Sequence, residues 1–141
     1  MSDYLECHRN SYYKYLMEAR TDNNMDAWLK FFLNGIIKTA ENGVDTFADI
    51  LAVEKYNEEK IQKLGGRSGN ALKVLTELYK RPVLDAASVS KITGLSSASG
   101  YKLISDLENL ELLKEITGGK RGKLFILKNY LDIFNRKVKY E

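Results

Sequence analysis

The sequence has almost nothing with which to staple itself together. Its 141 residues include one cysteine (Cys7), one histidine (His8) and one proline (Pro82). A single cysteine excludes an internal disulfide and any cysteine-based zinc site. A single histidine excludes a histidine-rich metal centre. No apolar run approaches the ~18 residues that a membrane span needs. The opening MSDYLECHRN is polar and charged, unlike a secretory leader. One proline leaves long helices uninterrupted. What is present is a 44% hydrophobic, 29% charged chain, a composition that builds a core and excludes a disordered tail. The expectation is a cytoplasmic, soluble, mainly α chain with no membrane partner.

The net charge of +3 is unevenly spread. Residues 1–64 carry eight Lys/Arg against eleven Asp/Glu, net −3, and residues 65–141 carry fourteen against eight, net +6. Such asymmetry suits an anionic partner for the second half, or simply an uneven solvated surface.

Spacing organises the first half into helices. Leu5, Tyr12, Tyr13, Leu16 and Met17 predict a helix over 3–20, with Ser2 or Asp3 as its cap. TDNN at 21–24 is a polar break. Leu29, Phe32, Leu33, Ile36, Ala40, Val44, Phe47 and Leu51 then form a stripe at steps of three and four, predicting a long helix from Asp26 to about Leu64. Gly35 and Gly43 mark a kink or a close helix contact within it. Gly65-Gly66 ends it, and the domain boundary is placed there, giving a helical segment 1–64 and a second domain 65–141.

The second half changes grammar. SGNALKVLTELYK (68–80) predicts a helix with Leu72, Leu75 and Leu78 inward, stopped by Pro82. DAASVSKIT (85–93) reads as a short helix capped by Asp85, burying Val89 and Ile92 and ended by Gly94. After the LSS turn, Ser96 caps a third helix to about 110 with Leu103, Ile104, Leu107 and Leu110 on one face. LLKEIT (112–117) and KLFIL (123–127) flank GGKRG (118–122) as a β-hairpin, and a last helical piece covers 128–137. Helix, helix, turn, helix and hairpin together predict a winged helix-turn-helix, in which the third helix projects toward a major groove and the hairpin is the wing.

On that frame Ser97, Ala98, Ser99, Tyr101 and Lys102 fall at the N-terminus of the third helix, where such proteins place base-contacting residues. Lys120, Arg121 and Lys123 fall on the wing, suited to phosphate or minor-groove contacts. The plainer alternative is a capped helix and a solvated hairpin. Residues 97–106 contain no Arg, Asn or Gln, so the strongest bidentate base pairings are missing and sequence readout is expected to be modest.

Catalytic readings fail. GGRSGN (65–70) is glycine-rich, but no strand precedes it and no Walker lysine follows; a helix terminator with a capping Ser68 fits better. Cys7 and His8 are adjacent and point apart on a helix. The carboxylates are scattered, and no nucleophile sits with a base. Tyr4, Tyr12, Tyr13 and Tyr15 with Trp28, Phe31 and Phe32 read as packing between helices rather than an aromatic cofactor box.

Several stretches resemble the C-terminal region of Fic-family protein adenylyltransferases: SDYLECHR with YYKYLMEAR, DAWLKFFLNGI, GGRSGNALKVLTELYKRPVLD and ITGGKRGKLFILKNYLDIF. They occur in family order and cover nearly the whole chain. The family's His-Pro-Phe loop and Gly-Asn-Gly-Arg anion nest are absent, so no catalytic residue carries over. The resemblance implies the C-terminal piece of a larger protein, a non-catalytic winged-helix module beside an ATP-using AMP-transferring domain, with no cofactor in this chain. It also implies that Trp28, Phe31, Phe32 and Ile36 form an interaction face for the Fic catalytic core, which, left bare, favours a homo-oligomer.

The combined expectation is an N-terminal helical pair with a long helix, then a winged helix-turn-helix that binds duplex DNA in a regulatory role. The alternative is a protein-interaction or oligomerisation module that positions the Fic core or its target.

Overall fold

The computed structural model describes residues 1–119 and 121–136. The chain is mainly helical, with one small three-stranded antiparallel sheet. It divides into two compact units, Met1–Ala48 and Asp49–Arg136. Among the described residues no helix is long and apolar enough to cross a membrane.

The first unit holds α1 (Ser2–Cys7), α2 (Arg9–Thr21) and the first part of α3 (Met25–Gln62). The single helix expected over 3–20 is broken at His8, whose φ of −109° and ψ of 32° leave the helical region. His8 Nδ1 lies 3.0 Å from the Tyr4 carbonyl, and the two rings stack at 4.3 Å, which stabilises the bend. Neither Ser2 nor Asp3 makes a capping bond; α1 begins at Ser2 after Met1. Asn24 caps α3, its Oδ1 accepting from Ala27 N–H.

Aromatic packing holds this unit together. Tyr4 and Tyr15 flank Phe31 at ring distances of 5.6 and 5.4 Å, and Tyr12 meets Trp28 edge-on at 5.4 Å. Gly35 permits the close approach: a Cβ there would stand 2.7 Å from the Tyr4 ring. The expected contact reading of Gly35 therefore holds, while at Gly43 a Cβ would meet nothing within 4 Å.

In the second unit, a 3-10 turn at Gly65–Arg67 leads into α4 (Ser68–Lys80). Then come β1 (Val83–Asp85), α5 (Ala86–Thr93), α6 (Ser97–Asn109), β2 (Leu113–Glu115), β3 (Leu124–Leu127) and α7 (Lys128–Phe134). The sheet order is β1-β3-β2, with Leu84 opposite Phe125 and Lys114 opposite Ile126. The unit takes in the last turns of α3, which the boundary expected at Gly65-Gly66 leaves outside; Ile61 is fully buried in its core.

Ala71, Val74, Leu75 and Leu78 of α4 form one wall of that core. The inward face expected at Leu72, Leu75 and Leu78 is thus rotated: Leu72 is exposed and the smaller Ala71 and Val74 point in. Ser68 is the first helical residue and makes no capping bond. Val89 of α5 and Leu103, Ile104 and Leu107 of α6 face the same core, while Ile92 and Leu110 sit at its margin.

Asp85 caps α5, accepting from both the N–H and the hydroxyl of Ser88 at 2.8 and 2.6 Å. These bonds hold its carboxyl below the ordinary range, since they favour the charged form. Gly94 closes α5 in the left-handed region, at φ 73°. Three residues later α6 begins, capped by Ser96.

Where α6 crosses α5 the contact is tight. A Cβ on Gly100 would lie 3.0 Å from Ser90 Oγ and 3.8 Å from Val89 Cγ1. A buried polar link adds to the packing: Asn57 donates to the Tyr79 hydroxyl at 3.1 Å and accepts from the Asn129 amide. Burial pushes the Tyr79 phenol up to about 12, against the opposing effect of its Asn57 bond.

Gly100→Val should destabilise the second unit by about 1–3 kcal/mol, the usual cost of overpacking. Gly69→Val, where a Cβ meets nothing within 4 Å, serves as the comparison. Urea unfolding should show a clearly lower midpoint for the first variant than for the second.

Candidate nucleic-acid interface

The N-terminus of α6 is open to solvent. Ser97, Ala98, Ser99, Tyr101 and Lys102 are all exposed, while Leu103 and Ile104 immediately behind them are buried. The helix therefore anchors one face in the core and presents the other. Ser96 Oγ accepts from Ser99 N–H at 3.3 Å and lies 3.1 Å from the Ser99 hydroxyl. Part of the local hydroxyl chemistry is thus spent on the cap, leaving Ser97 outermost.

Beside this helix end lies a groove of about 300 Å³, lined by Arg67, Asn70, Leu95, Ser99, Lys102 and Leu103. Arg67 and Asn70 escape sequence reasoning: they precede α6 by some thirty residues and belong to the 3-10 turn and α4. The Arg67 guanidinium pairs with the Asp106 carboxylate, one turn along α6 from Lys102. That pair fixes the 3-10 turn against α6. It leaves Lys102 as the cation of the groove that has no salt bridge among the described residues.

The hairpin is short. β2 and β3 pair antiparallel, continued by Ile116 N–H to the Leu124 carbonyl at 3.0 Å and Leu124 N–H to Thr117 Oγ1 at 3.2 Å. Arg121 is exposed in the connecting loop. Lys120 lies outside the described residues. Lys123 is only half-buried but committed: its Nζ donates to Glu115 Oε2 across the hairpin at 2.7 Å. The bond holds the Glu115 carboxyl below its ordinary range and Lys123 above its own. α6 packs against β2, so the hairpin lies against that helix.

Of the cations expected on this surface, Lys102 and Arg121 are presented outward and Lys123 is partly neutralised. The face expected at Trp28, Phe31, Phe32 and Ile36 divides. Phe31 is only 7% exposed, buried under Tyr4 and Tyr15, and Trp28 is half-buried against Tyr12. Phe32 and Ile36 are exposed. The reason is helical phase: residues 28, 31 and 35 share the face that α1 and α2 cover.

No group of His, Cys, Asp and Glu among the described residues is placed to hold a metal ion. Cys7 is exposed. The chain matches no known protein-family model, and no curated protein matches it.

The Glu115–Lys123 pair makes a pH prediction. A depressed folded-state carboxyl contributes stability that is present above the unfolded value, near 4.5, and is lost as pH falls through the lower folded value. NMR titration should find the Glu115 carboxyl titrating below 4.5, and Lys123→Ala should return it toward 4.5.

Proposed function

We propose that the second unit is a non-catalytic winged helix-turn-helix that binds duplex DNA. In this reading α5 and α6 are the helix-turn-helix, α6 is the recognition helix, and the β2–β3 hairpin is the wing. The observation that carries it is the exposure of Ser97, Ala98, Ser99, Tyr101 and Lys102 together at one helix N-terminus, with Arg121 exposed in the hairpin loop of the same unit.

The chemistry favours backbone contact. A helix N-terminus attracts phosphate through its unpaired N–H groups, and small side chains let the strand come close. Lys102 and Arg121 add charge, and the net +6 of the second half extends the field. Weak base reading follows from the residue types on α6, which lack the side chains for bidentate readout. The resemblance to the C-terminal region of Fic-family adenylyltransferases adds a regulatory role beside an AMP-transferring domain, without ATP or a cofactor bound by this chain. A second reading, a protein-interaction module, is favoured by the exposed apolar residues along α3, among them Leu33, Val44 and Phe47.

The test is salt dependence. Wild-type protein should be retained on duplex DNA with log K falling by about 0.9 per neutralised phosphate as log salt rises. Replacing Lys102, Lys120 and Arg121 by alanine should make that slope shallower by about 0.9 for each phosphate no longer neutralised. Replacing Lys14 and Lys38, which lie in the first unit, should leave it unchanged. Retention that ignores salt, or whose salt slope the triple substitution leaves unchanged, overturns the proposal.

A further inference from the structure

In the first unit, the face of α3 away from α1 and α2 is apolar and bare. Leu33, Ile36, Val44 and Phe47 are 54%, 46%, 69% and 70% exposed, and Ala40 between them is exposed too. At 100° per residue these five span about 80° of arc, so they form one straight seam. A bare seam of this kind needs a cover. Its spacing says which.

The seam is a palindrome centred on Ala40. Ile36 and Val44 stand four residues to either side, and Leu33 and Phe47 stand seven. A twofold interface is self-complementary: residue i meets residue j, and j meets i. Two copies of α3 laid antiparallel about Ala40 satisfy this throughout, with Ile36 on Val44, Leu33 on Phe47 and Ala40 on Ala40. A parallel pairing shares the Ala40 contact but stacks every other residue on its own copy, with Phe47 on Phe47. The centre is also the slimmest part of the seam: Gly43, beside Ala40, has open space where a Cβ would be. Small residues at the crossing let the helix axes approach closely.

The area suffices. Taking roughly 150–200 Å² for a fully exposed side chain of this size, the seam with flanking Phe32 and Ile37 offers on the order of 500–700 Å² per copy. About 1,000–1,400 Å² in total reaches the lower end of the roughly 1,200–2,000 Å² of specific protein–protein interfaces.

We propose that this chain forms an antiparallel twofold dimer through the Leu33–Phe47 seam of α3, the occupant of the face being a second copy of itself. This places the interface on the face of α3 opposite Trp28 and Phe31, which are spent on holding α1 and α2.

Sedimentation should give a mass twice the 16.1 kDa of the chain. Val44→Asp and Phe47→Asp should each return it to one chain. Both side chains are exposed, so circular dichroism of the variants should match the wild type. Orientation is read by oxidative cross-linking in a Cys7→Ser background, which removes the exposed native thiol. In the antiparallel dimer, positions 36 of the two copies are about 12 Å apart along the axis, beyond disulfide reach. Ile36→Cys alone and Val44→Cys alone should therefore stay uncross-linked, and an equimolar mixture should give the mixed disulfide dimer. A monomer at every concentration, or a dimer indifferent to both aspartates, overturns the proposal and leaves the seam to a different protein. Efficient cross-linking of Ile36→Cys with itself overturns the antiparallel arrangement.

Discussion

The second unit depends on one strand. β3 lies between β1 and β2, so its four residues carry every hydrogen-bonded ladder in the sheet. Its Phe125 and Leu127 are 2% and 0% exposed, meeting the core that α4, α5 and α6 build. The strand thus closes an open three-helix arrangement and aims the hairpin at the same time. The two roles cannot be separated: period-two alternation that buries Phe125 and Leu127 turns Leu124 and Ile126 outward, and a one-residue slip would expose the core pair. The position of Lys123 and of the loop before it follows from that register. α7 begins directly where β3 ends, and Asn129 within it reaches the buried Asn57. A buried asparagine without partners would cost about 1–3 kcal/mol, so the Asn57–Tyr79–Asn129 link selects one arrangement of α3, α4 and α7 over near alternatives.

Most of the elements were legible because local signals agreed with one another. Asp85, Gly94 and Ser96 are capping residues whose backbone roles follow from their chemistry; α5 begins and ends, and α6 begins, where they stand. β1 was not legible. It is three residues long, hemmed between Pro82 and the Asp85 cap, and it exists only because β3 offers it an edge. Long-range pairing of this kind leaves no periodicity to read. The break at His8 was hidden for a similar reason: continuous apolar spacing across residues 5–17 masks a bend sustained by a ring stack and a carbonyl contact. On α4 the stripe was read from its leucines, although the buried arc takes in Ala71 and Val74 and leaves Leu72 out. Large residues draw attention to themselves, and small ones mark where another element comes close.

The candidate interface was legible in its helix and not in its surroundings. Exposure of Ser97, Ala98, Ser99, Tyr101 and Lys102 follows from the phase of Gly100, Leu103, Ile104 and Leu107, which is a property of α6 alone. The groove behind Lys102 requires Arg67 and Asn70, brought there by tertiary packing. The partner of Lys123 was equally invisible, because cross-strand neighbours depend on a register that sequence does not state. Charge counting therefore overstates the cationic surface of the hairpin. A lysine bonded to a carboxylate contributes a dipole at short range and little net charge at long range, whereas Lys102 and Arg121 act as whole charges.

A recognition helix that reads bases weakly gains more from being doubled than one that reads them well. Phosphate contacts from one small module bind duplex weakly and release quickly at physiological salt. Joining two such modules through a twofold interface makes the second encounter intramolecular, and effective concentration then raises affinity without any new contact. If α6 is the recognition helix proposed above, pairing also favours duplex sites that occur as two half-sites over isolated ones. On the two proposals above, the apolar seam on α3 and the sparse polar face on α6 have complementary roles: residues too small and too plain to specify a sequence singly gain from being presented twice.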